Sequence, residues 1–146
     1  MRTRLLIVVM VALLAVVSAS ASARNAHFKS PTANINCILT GGFADCLLLH
    51  NTWSTLPKKP KWCTLDWNKP EVILNGHKLQ VGSCRGDIGP LCGPSSDAVC
   101  TVLRYGQTAS TALITCTSRS NGVTCRRRTG RHQGFRIARE GYVLYR

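Results

Sequence analysis

From position 119 to its end, this 146-residue chain carries eight arginines and a single acid, Glu140. Arg126, Arg127 and Arg128 run together, Arg131 follows closely, and Arg119 and Arg136 flank the run. Guanidinium groups at this density attract anions, so the partners implied are an anionic polymer such as cell wall or nucleic acid, lipid headgroups, or another extracellular protein. Arg119, Arg126, Arg128, Arg131 and Arg136 are the candidate anion-binding residues. The plainer alternative is a solvated basic face that keeps the protein soluble. On a strand, Arg126 and Arg128 share one face, and Arg127 takes the other, to which Cys125 is expected not to point. One arginine must then snorkel to solvent or pair, with Glu140 the acid at hand. An exposed edge strand protected by charge fits the run as well.

The histidines suggest a second chemistry. His77 and His132 on a basic background resemble the pair with which small secreted ribonucleases act on phosphodiesters. No lysine motif accompanies them, His77 follows directly on a turn, and His27 and His50 are scattered. Gly-x-Ser-x-Gly, His-Glu-x-x-His and phosphate-loop signatures are absent, and six acids are few for glycosidase or metal chemistry. Asp66 beside Trp67 reads as a turn capped by an aromatic. Arg85-Gly86-Asp87 spells an adhesion tripeptide, but Gly and Asp there more simply shape a turn. The sequence therefore names no catalytic residue, metal ligand or cofactor. Three function classes stand: a non-enzymatic binding module, a cationic membrane-active effector, and a small ribonuclease-like hydrolase.

Cysteine supplies the remaining chemistry. Eight cysteines all lie beyond residue 36 and fit four disulfides in an oxidising compartment. Two segments echo each other: Ile35-Asn36-Cys37 to Cys46, and Ile114-Thr115-Cys116 to Cys125, each with eight residues between its cysteines. Folding the first about Gly41-Gly42 sets Thr40 against Phe43, Leu39 against Ala44 and Cys37 against Cys46. Opposed residues on antiparallel strands come within disulfide reach. The second copy closes with a four-residue loop, 119–122, which sets Cys116 against Cys125. Local pairing then joins Cys63 to Cys84 and Cys92 to Cys100, although the even spacing of Cys84, Cys92 and Cys100 leaves their partners open to exchange.

Stepping along the chain, Arg2 and Arg4 precede a 13-residue apolar run, residues 5–17, and a small-residue tail with two Ala-Ser-Ala sites. This is the pattern of a secretory signal peptide, too short to span a membrane as a helix. Residues 1–23 are expected to be the leader and 24–146 one disulfide-rich domain, secreted and with no transmembrane segment. Loss of Arg2 and Arg4 leaves 17 basic residues against 6 acidic, a net charge of +11.

The rest reads as all-β. Residues 28–34 form a polar lead-in to the first bridged hairpin, and residues 51–61 a proline- and lysine-rich loop that leaves Trp53 and Trp62 to pack over a sheet. Residues 71–81 read as a hairpin turning at Asn75-Gly76, with Leu74 opposite His77 and Val72 opposite Leu79. Residues 83–97 form a loop held by cysteines, and 98–104 a strand with Cys100 and Val102 on one face. The second bridged hairpin and strands at 134–138 and 142–145 follow. No stretch has a helical period. About eight short antiparallel strands imply a small disulfide-stapled sandwich or barrel.

Several motifs in order carry a resemblance: Ser30-Pro31 with Asn34-Ile35-Asn36-Cys37, Asp66-Trp67 after Cys63, Cys84-Arg85-Gly86-Asp87, Gly122-Val123-Thr124-Cys125, and Gly134-Phe135-Arg136-Ile137-Ala138-Arg139. The chain resembles a family of small secreted actinobacterial proteins classed only as a domain of unknown function. The resemblance implies secretion and a disulfide-rich domain, and it implies no activity. The chain departs from the family's pattern at Ala33, where glycine is usual, at Arg104, where proline is usual, and at Arg131-His132-Gln133-Gly134-Phe135, where Gly-His-Gly-Phe is usual. Cys92 and Cys100 look like an added pair.

If the leader is cut after Ala21 or Ala23, N-terminal sequencing of exported protein should begin at Ser22 or Arg24. Exported protein that still starts at Met1 would refute the assignment.

Overall fold

Alternating apolar residues bounded by turn formers dictate short strands, and the computed structural model describes residues 25–86, 91–93 and 99–146. The expected leader, residues 1–23, lies outside the described residues, as do Asp87 and most of the loop at 83–97. Eleven strands form among the described residues, more than the eight expected: β1 (Ala26–Lys29), β2 (Ile35–Thr40), β3 (Phe43–Leu48), β4 (Asp66–Asn75), β5 (Lys78–Arg85), β6 (Thr101–Val102), β7 (Thr108–Ser110), β8 (Ile114–Arg119), β9 (Gly122–Arg127), β10 (Gly134–Ala138) and β11 (Gly141–Tyr145). The additional strands are short: β1, between β2 and β6, and β7, at the edge of the smaller sheet. The lead-in becomes β1 because Phe28, only 1% exposed, needs the core.

The strands build two open sheets, ordered β5-β4-β3-β2-β1-β6 and β11-β10-β9-β8-β7. They pack face to face as a sandwich, and no barrel closes. Phe28, Cys37, Leu39, Cys46, Val72 and Leu74 come from the larger sheet, and Ile114, Cys116, Val123, Cys125, Phe135 and Ile137 from the smaller. The first sheet is mixed, because β6 pairs with β1 in parallel. The strand expected at 98–104 shrinks to these two exposed residues, and Ala98 lies outside the described residues.

The first hairpin has the register argued from Gly41-Gly42, with Thr40 opposite Phe43 and Cys37 opposite Cys46. Gly41 takes a φ of +47°, as a tight turn of this hand requires. In the second hairpin Arg119 pairs with Gly122, so the turn is Ser120-Asn121, two residues rather than four. The added pair leaves Cys116 opposite Cys125. The β4–β5 turn is Gly76-His77 instead of Asn75-Gly76, with Leu74 opposite Leu79 and Val72 opposite Val81. Asn75 stays in the ladder because it also pairs with Phe43 on β3, and Gly76 N–H donates to the Gly42 carbonyl. A two-residue slip keeps every side chain on its own face, so the apolar stripe survives.

The turn from β1 to β2 explains one departure seen in the sequence. Ala33 sits at a φ of +55°, a conformation that favours glycine. Ser30 compensates by holding the turn closed: its carbonyl accepts from Ala33 N–H, and its Oγ from Ile35 N–H. Trp53 packs into the core and donates its indole N–H to the Ala138 carbonyl at 2.9 Å. Trp62, expected to pack likewise, is exposed.

The cysteines form the bridges Cys37–Cys46, Cys63–Cys84, Cys92–Cys100 and Cys116–Cys125, and none is free. The two hairpin bridges meet across the sandwich, with Cys46 Sγ 3.9 Å from Cys125 Sγ. Replacing Cys37 and Cys46 together by alanine should cost about 3–5 kcal/mol: about 2–3 from chain entropy and the remainder from the cavity left in the core. The same exchange at Cys92 and Cys100, which are only partly buried, should cost about 2–3 kcal/mol. Denaturant unfolding compares them, and equal losses would refute a packing role for the central pair.

Candidate anion-binding surfaces

Strand alternation assigns the arginines, starting from Cys125. Its sulfur is fully buried, so Val123, Cys125 and Arg127 point inward on β9 while Thr124 and Arg126 point out. The expectation that Arg127 avoids the Cys125 face is therefore reversed. Arg127 escapes the core by reaching its end, where Nη1 donates to the Gly76 carbonyl at 2.8 Å. Its partner is this turn carbonyl and not Glu140. Among the described residues the recorded ion pairs all belong to Arg85.

The outer face of the five-stranded sheet combines hydroxyls with two of the candidate arginines. Register sets Thr115 opposite Arg126 opposite Gly134, and Thr117 opposite Thr124 opposite Arg136. Thr108, Ser110, Val143 and Tyr145 complete the outward rows. No acid stands among them. Gly134 is needed here, since a Cβ would clash with the Cys125 carbonyl and the Arg126 side chain. Across that gap the Arg126 guanidinium lies 3.6 Å from the centre of the Tyr145 ring, a cation–π contact that fixes its position.

The other candidates divide between the ends of the sandwich. Arg119 ends β8 beside a cleft of about 440 Å³, lined also by Asn34, His50, Tyr105, Arg139 and Glu140. Asn34 holds its rim, pairing through Nδ2 and Oδ1 with the backbone of His50. The Arg139 carbonyl accepts from Thr52 N–H at 2.8 Å, so backbone bonds close the frame and leave these side chains exposed. His50, set aside as scattered in the sequence, and Arg139, marked there only as the end of the Gly134–Arg139 motif, reach the cleft from turns 89 residues apart. At the opposite end Arg128 Nη1 donates to the Thr111 carbonyl at 3.2 Å. Arg131 is exposed in the β9–β10 connection. His77 and His132 also stand at this end, where His77 Nδ1 meets Gln133 Oε1 at 3.1 Å and His132 Nδ1 meets the Arg127 carbonyl at 3.2 Å.

A buried charged cluster on the larger sheet was not foreseen. Arg85 Nη2 lies 2.9 Å from Glu71 Oε1 and its Nη1 lies 3.6 Å from Asp45 Oδ2, while Ser83 Oγ donates to Glu71. Glu71 is wholly buried and Asp45 nearly so. The arginine of the adhesion tripeptide is thus occupied internally. Burial, then the charge of Glu71 and a hydrogen bond with it, push the Asp45 carboxyl up to about 8, against the pull of Arg85. Both acids are buried against Arg85 and Ser83, the arrangement of a structural cluster.

Fold and surface define a disulfide-stapled all-β sandwich whose smaller sheet presents arginines to solvent. Its four bridges mark an oxidising environment, and no helix among the described residues is long and apolar enough to cross a membrane. The chain belongs to DUF6636, a family of unknown function whose model matches residues 7–145. No curated protein and no solved structure gives a significant match.

Because the folded state binds the Asp45 proton more tightly than the unfolded chain, whose carboxyl titrates near 3.8, this group's contribution to stability must fall as pH rises from about 4 to about 8. Asp45→Asn should therefore flatten the decline in melting temperature across that window and gain on the parent at its upper end. Parallel pH profiles for the two proteins would disprove the coupling.

Proposed function

We propose that the protein is a non-enzymatic extracellular binding module that holds anionic polymers on the outer face of its five-stranded sheet. The leader at residues 1–23 exports it, and residues 24–146 form the one working domain. The observation that carries this reading is an outward face whose strand rows hold Arg126 and Arg136 and no carboxylate, with Glu140 set aside in the β10–β11 turn, where it lines a cavity with Arg136. Free of internal ion pairs, these guanidinium groups keep their charge for a ligand, and the stacking of Arg126 on Tyr145 reduces the entropy lost on binding. Arg119 extends the face at one end, with Arg128 and Arg131 beyond the other.

The chemistry that fits is a chain of repeated phosphodiesters, as in single-stranded nucleic acid or a phosphate-linked wall polymer. Arginine meets phosphate oxygens with paired N–H donors, and rows of threonine hydroxyls add uncharged ones. Ribonuclease-like hydrolysis draws less support, since His77 and His132 lie at the far end with ring nitrogens engaged by Gln133 and the Arg127 carbonyl.

Fluorescence anisotropy with a single-stranded oligonucleotide and with polyphosphate tests the reading. Affinity should fall steeply as salt rises, and the variant Arg119→Ser/Arg126→Ser/Arg136→Ser should lower the slope of log K against log salt by about 2, from roughly 0.7 per lost phosphate contact. Its stability should drop by no more than about 1 kcal/mol, the lost cation–π contact. An unchanged slope would reduce the face to a solubility device, and cleavage of the oligonucleotide would replace binding with catalysis.

A further inference from the structure

The connection from β3 to β4 contains no acid between Leu49 and Leu65, and it carries Lys58, Lys59 and Lys61 between and beside two prolines. Within it Trp62 is 68% exposed, with Leu65 at 51% and Leu56 at 36%. A flexible loop would fold such side chains back onto the sheet. This loop is held from doing so at several points. The Cys63–Cys84 bridge ties it to β5, and Cys63 N–H donates to the Pro60 carbonyl at 3.0 Å. The Trp67 indole N–H donates to the Pro57 carbonyl at 3.0 Å. Trp67 itself occupies the space that a side chain on Gly82 would need. Trp62 rests edge-on against Trp67, with ring centres 6.4 Å apart, and turns the rest of its surface to water.

We propose that loop 56–65 is a docking edge for an anionic lipid surface. Trp62, Leu56 and Leu65 enter the boundary between headgroups and acyl chains, and Lys58, Lys59 and Lys61 meet the headgroup phosphates. An indole at the tip, aliphatic side chains nearby and lysines around them are the composition that the membrane interface selects. The charge matches an anionic leaflet, since three lysines outweigh the one flanking acid, the exposed Asp66 at the start of β4. A glycan fits less well. Sugar platforms pair an aromatic ring with amides or carboxylates that bond hydroxyls, and residues 56–65 contain neither. The aliphatic side chains, moreover, would have nothing to do against a sugar. The edge belongs to the larger sheet and is independent of the arginine face, so either proposal can fail alone.

The test uses the oxidised protein with vesicles of phosphatidylglycerol mixed with phosphatidylcholine, and of phosphatidylcholine alone. The protein should sediment with the mixed vesicles, and bromine-labelled lipid should quench its tryptophan fluorescence. Trp62→Ser/Leu65→Ser should weaken vesicle binding at least about tenfold with its melting temperature and polyanion binding unchanged. Trp62→Phe should keep most of the binding and lose the quenching, because Trp53 is buried and Trp67 is packed under the loop. The arginine-face triple variant should still bind vesicles. The proposal is overturned if the mixed vesicles fail to bind, if only the arginine variant loses them, or if a soluble neutral glucan perturbs Trp62 while lipid does not.

Discussion

Two disulfides lying against each other at the centre of the molecule set the terms for everything around them. Cys37–Cys46 and Cys116–Cys125 each span a pair of neighbouring strands, and their sulfurs meet across the sandwich at 3.9 Å. Packed sheets stand about 10 Å apart, a space that two stacked bridges can fill. Phe28, Leu39, Val72, Ile114, Phe135 and Ile137 are gathered around them. The contact also decides the surface. With Cys125 committed to the interior, Arg126 has to point to solvent, and Arg127 has to find the end of the core. Pairing with β9 then sends Arg136 out beside Thr124. The arginine face is a consequence of where the sulfur sits.

Much of this was legible because it is local. Equal cysteine spacing around turn formers gave the two hairpins and their register, and strict alternation gave an all-β chain. The misreadings arose where a third strand intervenes. Asn75-Gly76 is a good turn for an isolated hairpin, but Phe43 on β3 keeps Asn75 in the ladder and moves the turn by one residue. A strand at 98–104 was legible, but the parallel pairing of β6 with β1, more than seventy residues away, and its shortening to two residues have no local signal. Arg127 was placed on the wrong face by a simple error of parity that Cys125 could have corrected.

The acidic residues were least legible. Asp45, Glu71 and Arg85 are separated by 26 and 14 residues, and a bulge between Asn68 and Val72 shifts the β4–β5 register on the way to them. No spacing rule crosses such an irregularity. The same distance hid the cleft, whose walls come from five separate segments of the chain. Asp45, Glu71 and Arg85 are also the reason that the protein's few acids subtract so little from its outer charge. Glu71 is wholly buried against Arg85, and Asp45 is buried with its carboxyl pushed up to about 8, so neither acid offsets the exposed cations.

The bridges have one more property, visible only when they are taken in chain order. Cys37–Cys46, Cys63–Cys84, Cys92–Cys100 and Cys116–Cys125 follow one another without overlap. The first cysteine of each pair therefore finds its partner in the next one along the chain. Oxidation can proceed from front to back as the chain arrives, and no bridge has to wait for a distant thiol or be reopened to admit one. Each bridge closes within one stretch of chain, so the four loops are crosslinked independently of one another.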